Sequence, residues 1–153
     1  RSIRTKDYQF IINFKPDRWP LGDPYRLDGD NEPSYSLLEN RTFVTLADED
    51  AGPTKAWIVT NRNDPKVNPI YKAVYGKRPK EELYDLKKDP DQMDNLANNP
   101  KHSQTVEKLR HRLMKYLRET NDPRLIDDGK FFETPPMAGV VKGQRTIEQA
   151  IAD

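Results

Sequence analysis

The sequence predicts an α+β fold, with a small antiparallel sheet of about four strands, one long helix packed on it, and an irregular C-terminal tail. Two patterns in the 153 residues favour this class. Apolar residues alternate with polar ones near the N-terminus, which is typical of strands with one buried face. Between residues 100 and 119 the apolar residues recur every three or four positions, which is typical of an amphipathic helix.

The sheet is expected to begin with two strands, residues 2–5 and 8–14, joined by Lys6-Asp7. In the second strand, Tyr8, Phe10 and Ile12 share one face, as side chains two apart do in an extended chain. A two-residue connection suits a tight hairpin, although it lacks the glycine that such turns prefer.

The middle of the chain carries weaker signals. Prolines and aspartates make residues 15–36 a predicted surface loop. Residues 42–46 and 55–60 are apolar enough for strands, although the first could equally open a helix. Residues 70–75 are expected to form a helical turn that ends at Gly76.

The second half of the chain contains a further strand around Leu83 and the long helix. After the strand, Asp89 is expected to cap a turn in which Pro90 takes the first helical position. Asn99 then caps a helix that runs to about Glu119. Its apolar stripe is expected to pack against the sheet that contains Phe10, Ile12 and Tyr84. The residues of that stripe are Val106, Leu109, Leu113 and Leu117.

We therefore predict one subdomain over residues 1–153, divided into a sheet-and-helix core, residues 1–124, and a tail, residues 125–153. The tail contains two adjacent prolines and a possible last helix at residues 146–152. Several apolar residues outside the predicted core suggest a face that a partner covers: Val44, Ile58, Val59, Phe131, Phe132 and Met137.

Composition excludes several classes of protein. The chain has 26 basic and 25 acidic residues, a balance that does not indicate a nucleic-acid partner. No apolar run approaches the roughly 20 residues that span a bilayer, so no membrane partner is expected. The chain has no cysteine, which excludes disulfides and thiolate metal sites.

Two tryptophans beside basic residues are the candidate binding residues: Arg18 with Trp19, and Lys55 with Trp57. An indole ring can stack on a sugar while the neighbouring cation neutralises an anionic group. The alternative for Trp57 is a packing role in the core, because large aromatic side chains are mostly buried.

No catalytic or metal-binding residue is predicted. Glu81 and Glu82 are neighbours on a strand and face opposite sides. We therefore expect Glu82 and Asp85 to accept hydrogen bonds from nearby loop backbone. His102 and His111 lie nine residues apart without a third ligand, which does not fit a metal site.

The segment Glu-Leu-Tyr-Asp-Leu at residues 82–86, followed by Asp89-Pro90 and Asn95-Leu96-Ala97, resembles the C-terminal subdomain of the formylglycine-dependent sulfatases. The opening strands at residues 1–8 resemble the same subdomain. Residues 53–57, residues 76–79 and the stretch after Asp122 look most like an uncharacterised branch near the heparan N-sulfatases.

The resemblance implies that this chain is part of a sulfuric ester or sulfamate hydrolase. The family's nucleophile arises from Cys or Ser in a Cys/Ser-x-Pro-x-Arg motif, which no serine here has. Formylglycine and calcium are therefore implied for a catalytic domain outside this sequence, and that domain is the expected partner. The chain would support it, line part of its cleft rim and be inactive alone.

The alternative from another class of protein is a free-standing binding module for sulfated or acidic glycans. The chain begins with Arg1 rather than Met, so we expect it to belong to a longer protein. Family resemblance alone suggests a periplasmic or secreted location.

Overall fold

The computed structural model describes residues 1–133, which form two compact units. The first contains residues 1–15 and 79–133, and the second contains residues 16–78. The first unit holds all three strands of the described residues, namely β1 (Ser2–Arg4), β2 (Tyr8–Ile12) and β3 (Glu81–Asp85). They form an antiparallel sheet in the order β1-β2-β3. The α+β class is confirmed, with three strands in place of about four.

Four α-helices accompany the sheet in the described residues. The second unit contains α1 (Tyr35–Asn40), α2 (Pro53–Thr60) and α3 (Asn68–Tyr75). The first unit contains α4 (Ser103–Glu119), which follows a 3-10 turn at Pro100–His102. Further 3-10 turns lie at Thr42–Val44, Pro123–Leu125 and Asp127–Phe132. None of the helices in residues 1–133 has the length and apolarity needed to cross a bilayer.

The core of the first unit lies between the sheet and α4, as the apolar stripe predicts. Leu109, Leu113 and Leu117 are buried against Phe10 and Ile12. Tyr84 lies in β3 of this sheet as expected, and the side chain that β3 contributes to the core is that of its neighbour Leu83. The reason is the pleat, because adjacent residues of a strand face opposite sides of the sheet.

The two predicted capping side chains, Asn99 and Asp89, accept hydrogen bonds from backbone N–H groups of the turns that they begin. The Asn99 side chain accepts a hydrogen bond from the N–H of Lys101 at 3.0 Å, at the start of the turn that leads into α4. The Asp89 carboxylate accepts from the N–H groups of Met93 and Asp94 at 3.0 and 2.8 Å. Asp85 accepts from the N–H groups of Lys87 and Lys88, as expected for a turn carboxylate.

The two edges of the sheet differ. On β3, the outward N–H of Leu83 donates to Asn95 Oδ1 at 2.9 Å, and its C=O accepts from Leu96 N–H at 2.8 Å. On β1, Arg1 and Thr5 bond inward to β2, so the backbone groups of Ser2 and Arg4 point outward. Within residues 1–133 these outward groups have no hydrogen-bond partner.

The second unit is helical, and here the sequence-based predictions were partly wrong. Residues 42–46 are a 3-10 turn followed by irregular backbone, and residues 55–60 belong to α2 rather than to a strand. The predicted loop also ends earlier, since α1 begins at Tyr35 with the Ser34 side chain accepting from Leu37 N–H. The core of the second unit buries Val44, Ile58 and Val59. These three residues therefore do not form the exposed face that was expected.

The predicted helix end at Gly76 is confirmed. Gly76 N–H donates to Lys72 C=O at 3.0 Å and closes α3. A Cβ at this position would lie 2.4 Å from the same oxygen, which is closer than real contacts allow, so glycine is required for close approach. The predictions for Met137, for the tail beyond residue 133 and for a helix at residues 146–152 lie outside the described residues, and the division into core and tail stays a prediction.

Candidate functional site

The first of the predicted binding pairs contains a tryptophan contact that brings distant residues together. Lys77 Nζ lies 5.0 Å from the centroid of the Trp19 ring, within the range of a cation–π interaction. Lys77 directly follows Gly76, the residue that caps the C-terminal end of α3. Arg18 is exposed next to Trp19. This surface therefore presents an aromatic ring with basic groups beside it.

The second predicted pair, Lys55 and Trp57, is separated by its helix. Residues two apart share a face on a strand but lie about 200° apart around a helix. In α2 the Lys55 side chain is therefore buried, 1% exposed, whereas Trp57 is 48% exposed. Trp57 is not a core residue, and no ring–ring contact joins it to Trp19 within residues 1–133.

Lys55 supports the backbone of the preceding loop. Its Nζ donates to the carbonyl oxygens of Thr42, Leu46 and Glu49 at 3.1, 3.1 and 2.9 Å. An ammonium group has three donors, and these contacts use all of them. Burial lowers the pKa of Lys55, while the nearby carboxylates of Glu49 and Asp50 oppose that shift. A glycan contact by Lys55 stays a prediction, and in this structure its ammonium group holds the loop.

A second buried cation follows α2. The Arg62 guanidinium donates to the carbonyl oxygens of Val59 and Leu27 and to the Glu32 carboxylate. The hydrogen bond from Arg62 to the Glu32 carboxylate holds the pKa of Glu32 below its usual value. Arg62 thus ties the long loop before α1 to the end of α2, and with Lys55 it fixes the loops on either side of α1.

The two carboxylates at the start of β3, Glu81 and Glu82, are held by other side chains. Arg110 Nε and Nη2 contact the two oxygens of Glu81 at 2.5 and 2.6 Å, and this hydrogen bonding lowers the pKa of Glu81. Glu82 bonds to Asn13 and Tyr84 side chains, and not to loop backbone as expected. A general acid requires a raised pKa, so the lowered pKa of Glu81 fits a structural ion pair.

No group of three or more His, Cys, Asp and Glu side chains in residues 1–133 is arranged to hold a metal ion. His102 instead lies edge-on to the Tyr8 ring, with centroids 6.1 Å apart, and His111 is exposed. The calcium that the family resemblance implies for a catalytic domain outside this sequence stays a prediction.

Together the fold and the site describe an α+β chain with supporting ion pairs and an exposed aromatic–basic surface.

No family model matches the chain, and no solved structure matches it. Two curated proteins do. The human N-sulphoglucosamine sulphohydrolase is 31% identical over 127 residues, which are 80% of this chain and 20% of the human protein. The ulvan-active sulfatase of Formosa agariphila is 25% identical over 123 residues, which are 80% of this chain and 17% of that protein.

The chain is therefore sulfatase-related, which confirms the resemblance read from its motifs. It spans about a fifth or less of the length of the curated relatives that it matches.

The structure also adds Lys77 to the candidate binding residues. The sequence contains the basic run Lys77-Arg78, but nothing in it indicates that Trp19, far earlier in the chain, lies beside that run.

Proposed function

We propose that this chain is the C-terminal part of a formylglycine-dependent sulfatase and that it supports that enzyme's catalytic domain. The observation that carries the proposal is the pair of matches, which extend over 80% of this chain and over a small part of two sulfatases. A shared segment of this kind is what two enzymes with a common supporting subdomain would show.

The chemistry would belong to the remainder of the enzyme. None of the four serines has the Cys/Ser-x-Pro-x-Arg context, and there is no cysteine. The described residues also lack a cluster for calcium. We therefore assign the formylglycine and the calcium to a catalytic domain outside the 153 residues, and we expect the chain alone to hydrolyse no sulfate ester.

The second part of the proposal is a contribution to the rim of the substrate cleft. One relative is named for N-sulphoglucosamine and the other for ulvan, which favours a sulfated saccharide as the substrate class. Arg18, Trp19 and Trp57, with Lys77 added by the structure, supply rings and cations suited to such a ligand.

The test begins with the complete reading frame that contains this chain. A Cys/Ser-x-Pro-x-Arg motif upstream of Arg1 is expected, and its absence would overturn the proposal. The purified complete protein should hydrolyse 4-nitrophenyl sulfate, and the 153-residue chain alone should not.

The rim is tested in the complete protein by Trp57→Ala. This change should raise the KM for a sulfated oligosaccharide several-fold and leave kcat/KM for 4-nitrophenyl sulfate unchanged, because only the larger substrate reaches the rim. Lys66→Ala, at an exposed position of the same unit, is the matched control. Equal effects of the two variants would remove Trp57 from the rim.

A free-standing binding module for sulfated or acidic glycans is the second candidate. The observation that favours it is the half-exposed ring of Trp57, together with the Trp19–Lys77 contact. It predicts that the 153-residue chain binds a sulfated glycan array and that Arg18→Ala or Trp57→Ala abolishes this binding.

A further inference from the structure

A basic groove lies between the open edge of the sheet and one flank of α4, in the first unit. We name it the β1–α4 groove; its volume is about 460 Å³. Ser2, Ile3 and Arg4 of β1 form one wall, and Arg112 and Tyr116 belong to the wall formed by α4. The groove lies in the first unit, whereas the tryptophans of the candidate site all belong to the second.

The charge of this groove is unbalanced. Arg4, Arg112 and Lys115 line it with a single carboxylate, Glu119, in a chain whose total charge is only +1. Within residues 1–133, Arg4 and Arg112 make no ion pair. Lys115 contacts Glu119 at 3.7 Å, with both side chains mostly exposed, and such pairs contribute little stability. The groove therefore offers cationic groups that are available to an anion.

The neutral groups of the groove are also available. Tyr116 is 62% exposed, so its ring is accessible to a ligand in the groove. The backbone N–H groups of Ser2 and Arg4 point outward from β1 and have no partner among the described residues. The opposite edge of the sheet differs, because Asn95 and Leu96 bond to the outward groups of Leu83.

We propose that the β1–α4 groove binds an oligosaccharide that carries sulfate or carboxylate groups. Guanidinium groups bind such anions through paired N–H donors. The exposed ring of Tyr116 offers a flat apolar face for a sugar ring, and the edge N–H groups offer donors for hydroxyl or anionic oxygens. The three kinds of group occur together in one open groove.

Two other occupants fit the groove less well. An added peptide strand would find outward backbone groups at only two residues of β1, Ser2 and Arg4, because β1 ends there. A second copy of the chain related by a two-fold axis would place the basic groups of one groove against those of the other, which is unfavourable. An anionic sugar avoids both difficulties.

The test is a titration of the 153-residue chain by calorimetry with a chondroitin sulfate hexasaccharide, and with a neutral dextran oligosaccharide of the same length. We expect binding to the first probe, weakened by added salt, and none to the second. Arg112→Glu should weaken binding at least roughly tenfold, as expected for the loss of a charge-assisted contact. Tyr116→Ala should weaken it several-fold.

The matched control is Arg118→Glu, which makes the same charge change on an exposed residue of α4 that does not line the groove. Its affinity should fall far less than that of Arg112→Glu, because Arg118 is not among the residues that line the groove and acts on a ligand only through solvent-screened charge. Arg112→Gln is the milder second variant, and circular dichroism confirms that each variant is folded. Absence of binding by the unmodified chain, or equal losses for Arg112→Glu and Arg118→Glu, would overturn the proposal.

Two further outcomes would assign the groove differently. Binding of oligo(dT) as tight as that of the sulfated probe would overturn the proposal in favour of nucleic acid. Dimers by sedimentation that Arg112→Glu disrupts would overturn it in favour of a second copy. The inference is independent of catalysis, because sugar binding by this chain is measured without turnover. An inactive complete protein would refute the proposed function and leave the groove unaffected.

Discussion

Replacing Lys55 by Met should lower the free energy of unfolding of the 16–78 unit by about 2–4 kcal/mol. Met keeps the length and apolar character of the buried stem and removes the three donors that reach Thr42, Leu46 and Glu49. The perturbation therefore acts on the carbonyl oxygens of one loop and leaves the packing of α2 in place.

The expected loss in free energy of unfolding depends on how many carbonyl oxygens lose their last hydrogen-bond donor. The oxygen of Leu46 keeps a hydrogen bond from Glu49 N–H at 3.1 Å. Those of Thr42 and Glu49 are left without a hydrogen-bond partner among residues 1–133, and each unsatisfied buried acceptor costs about 1–3 kcal/mol. Water can reach these partly buried oxygens, and the buried ammonium no longer has to be desolvated. Both effects reduce the sum to about 2–4 kcal/mol.

The assay is urea unfolding followed by tryptophan fluorescence. The chain has two tryptophans, Trp19 and Trp57, and both lie in this unit, so the signal reports the unit that is perturbed. Lys66→Met, at an exposed lysine of the same unit, should change stability by no more than about 0.5 kcal/mol. If Lys55→Met and Lys66→Met unfold at the same urea concentration, the reasoning about the three carbonyl oxygens is refuted.

Two predictions concern the first unit. Leu113→Ala should cost about 2–5 kcal/mol, because Leu113 is buried between α4 and the sheet, and the helical circular dichroism of the unit should be lost at lower urea. A loss no larger than that in Arg118→Ala would place the stripe toward solvent. Arg110 lowers the pKa of Glu81 below 4.5, so the stability from this pair is present above about pH 4.5 and is lost as the pH falls through the lowered pKa. Glu81→Gln should therefore destabilise the chain at about pH 7, and the difference from the unmodified chain should shrink as the pH is lowered through the pKa of Glu81, measured by urea midpoints; a difference that does not change with pH would contradict the assignment.

The parts of the fold that the sequence predicts are those dictated by local pattern. The alternation in β2 and the stripe of α4 each define one buried face, and that pattern survives in the structure. The end of α3 is equally local, since it depends on Gly76 and the carbonyl oxygen four residues before it.

The parts that sequence reasoning missed depend on distant partners. Residues 57–60, Trp-Ile-Val-Thr, have side chains that favour strands, yet they form the second half of α2 because both Ile58 and Val59 pack into one core. Lysine is rarely buried, so nothing local indicates that Lys55 lies among three carbonyl oxygens. The contact of Trp19 with Lys77 joins two loops that are far apart in the chain.

The pairing of β2 with β3 also sets an order of events when the chain is made. Tyr8 pairs with Asp85 and Ile12 with Glu81. The sheet of the first unit therefore cannot form completely until the residues beyond position 80 have been synthesised. Residues 16–78 carry a complete core of their own and are finished earlier. If that segment folds first on the ribosome, it shortens the loop that the sheet must close, because a folded insertion brings its ends to a fixed separation. In that order of synthesis β3 becomes available to pair with β2 only after the second unit is complete, and α4, which covers the sheet, is made last of these elements.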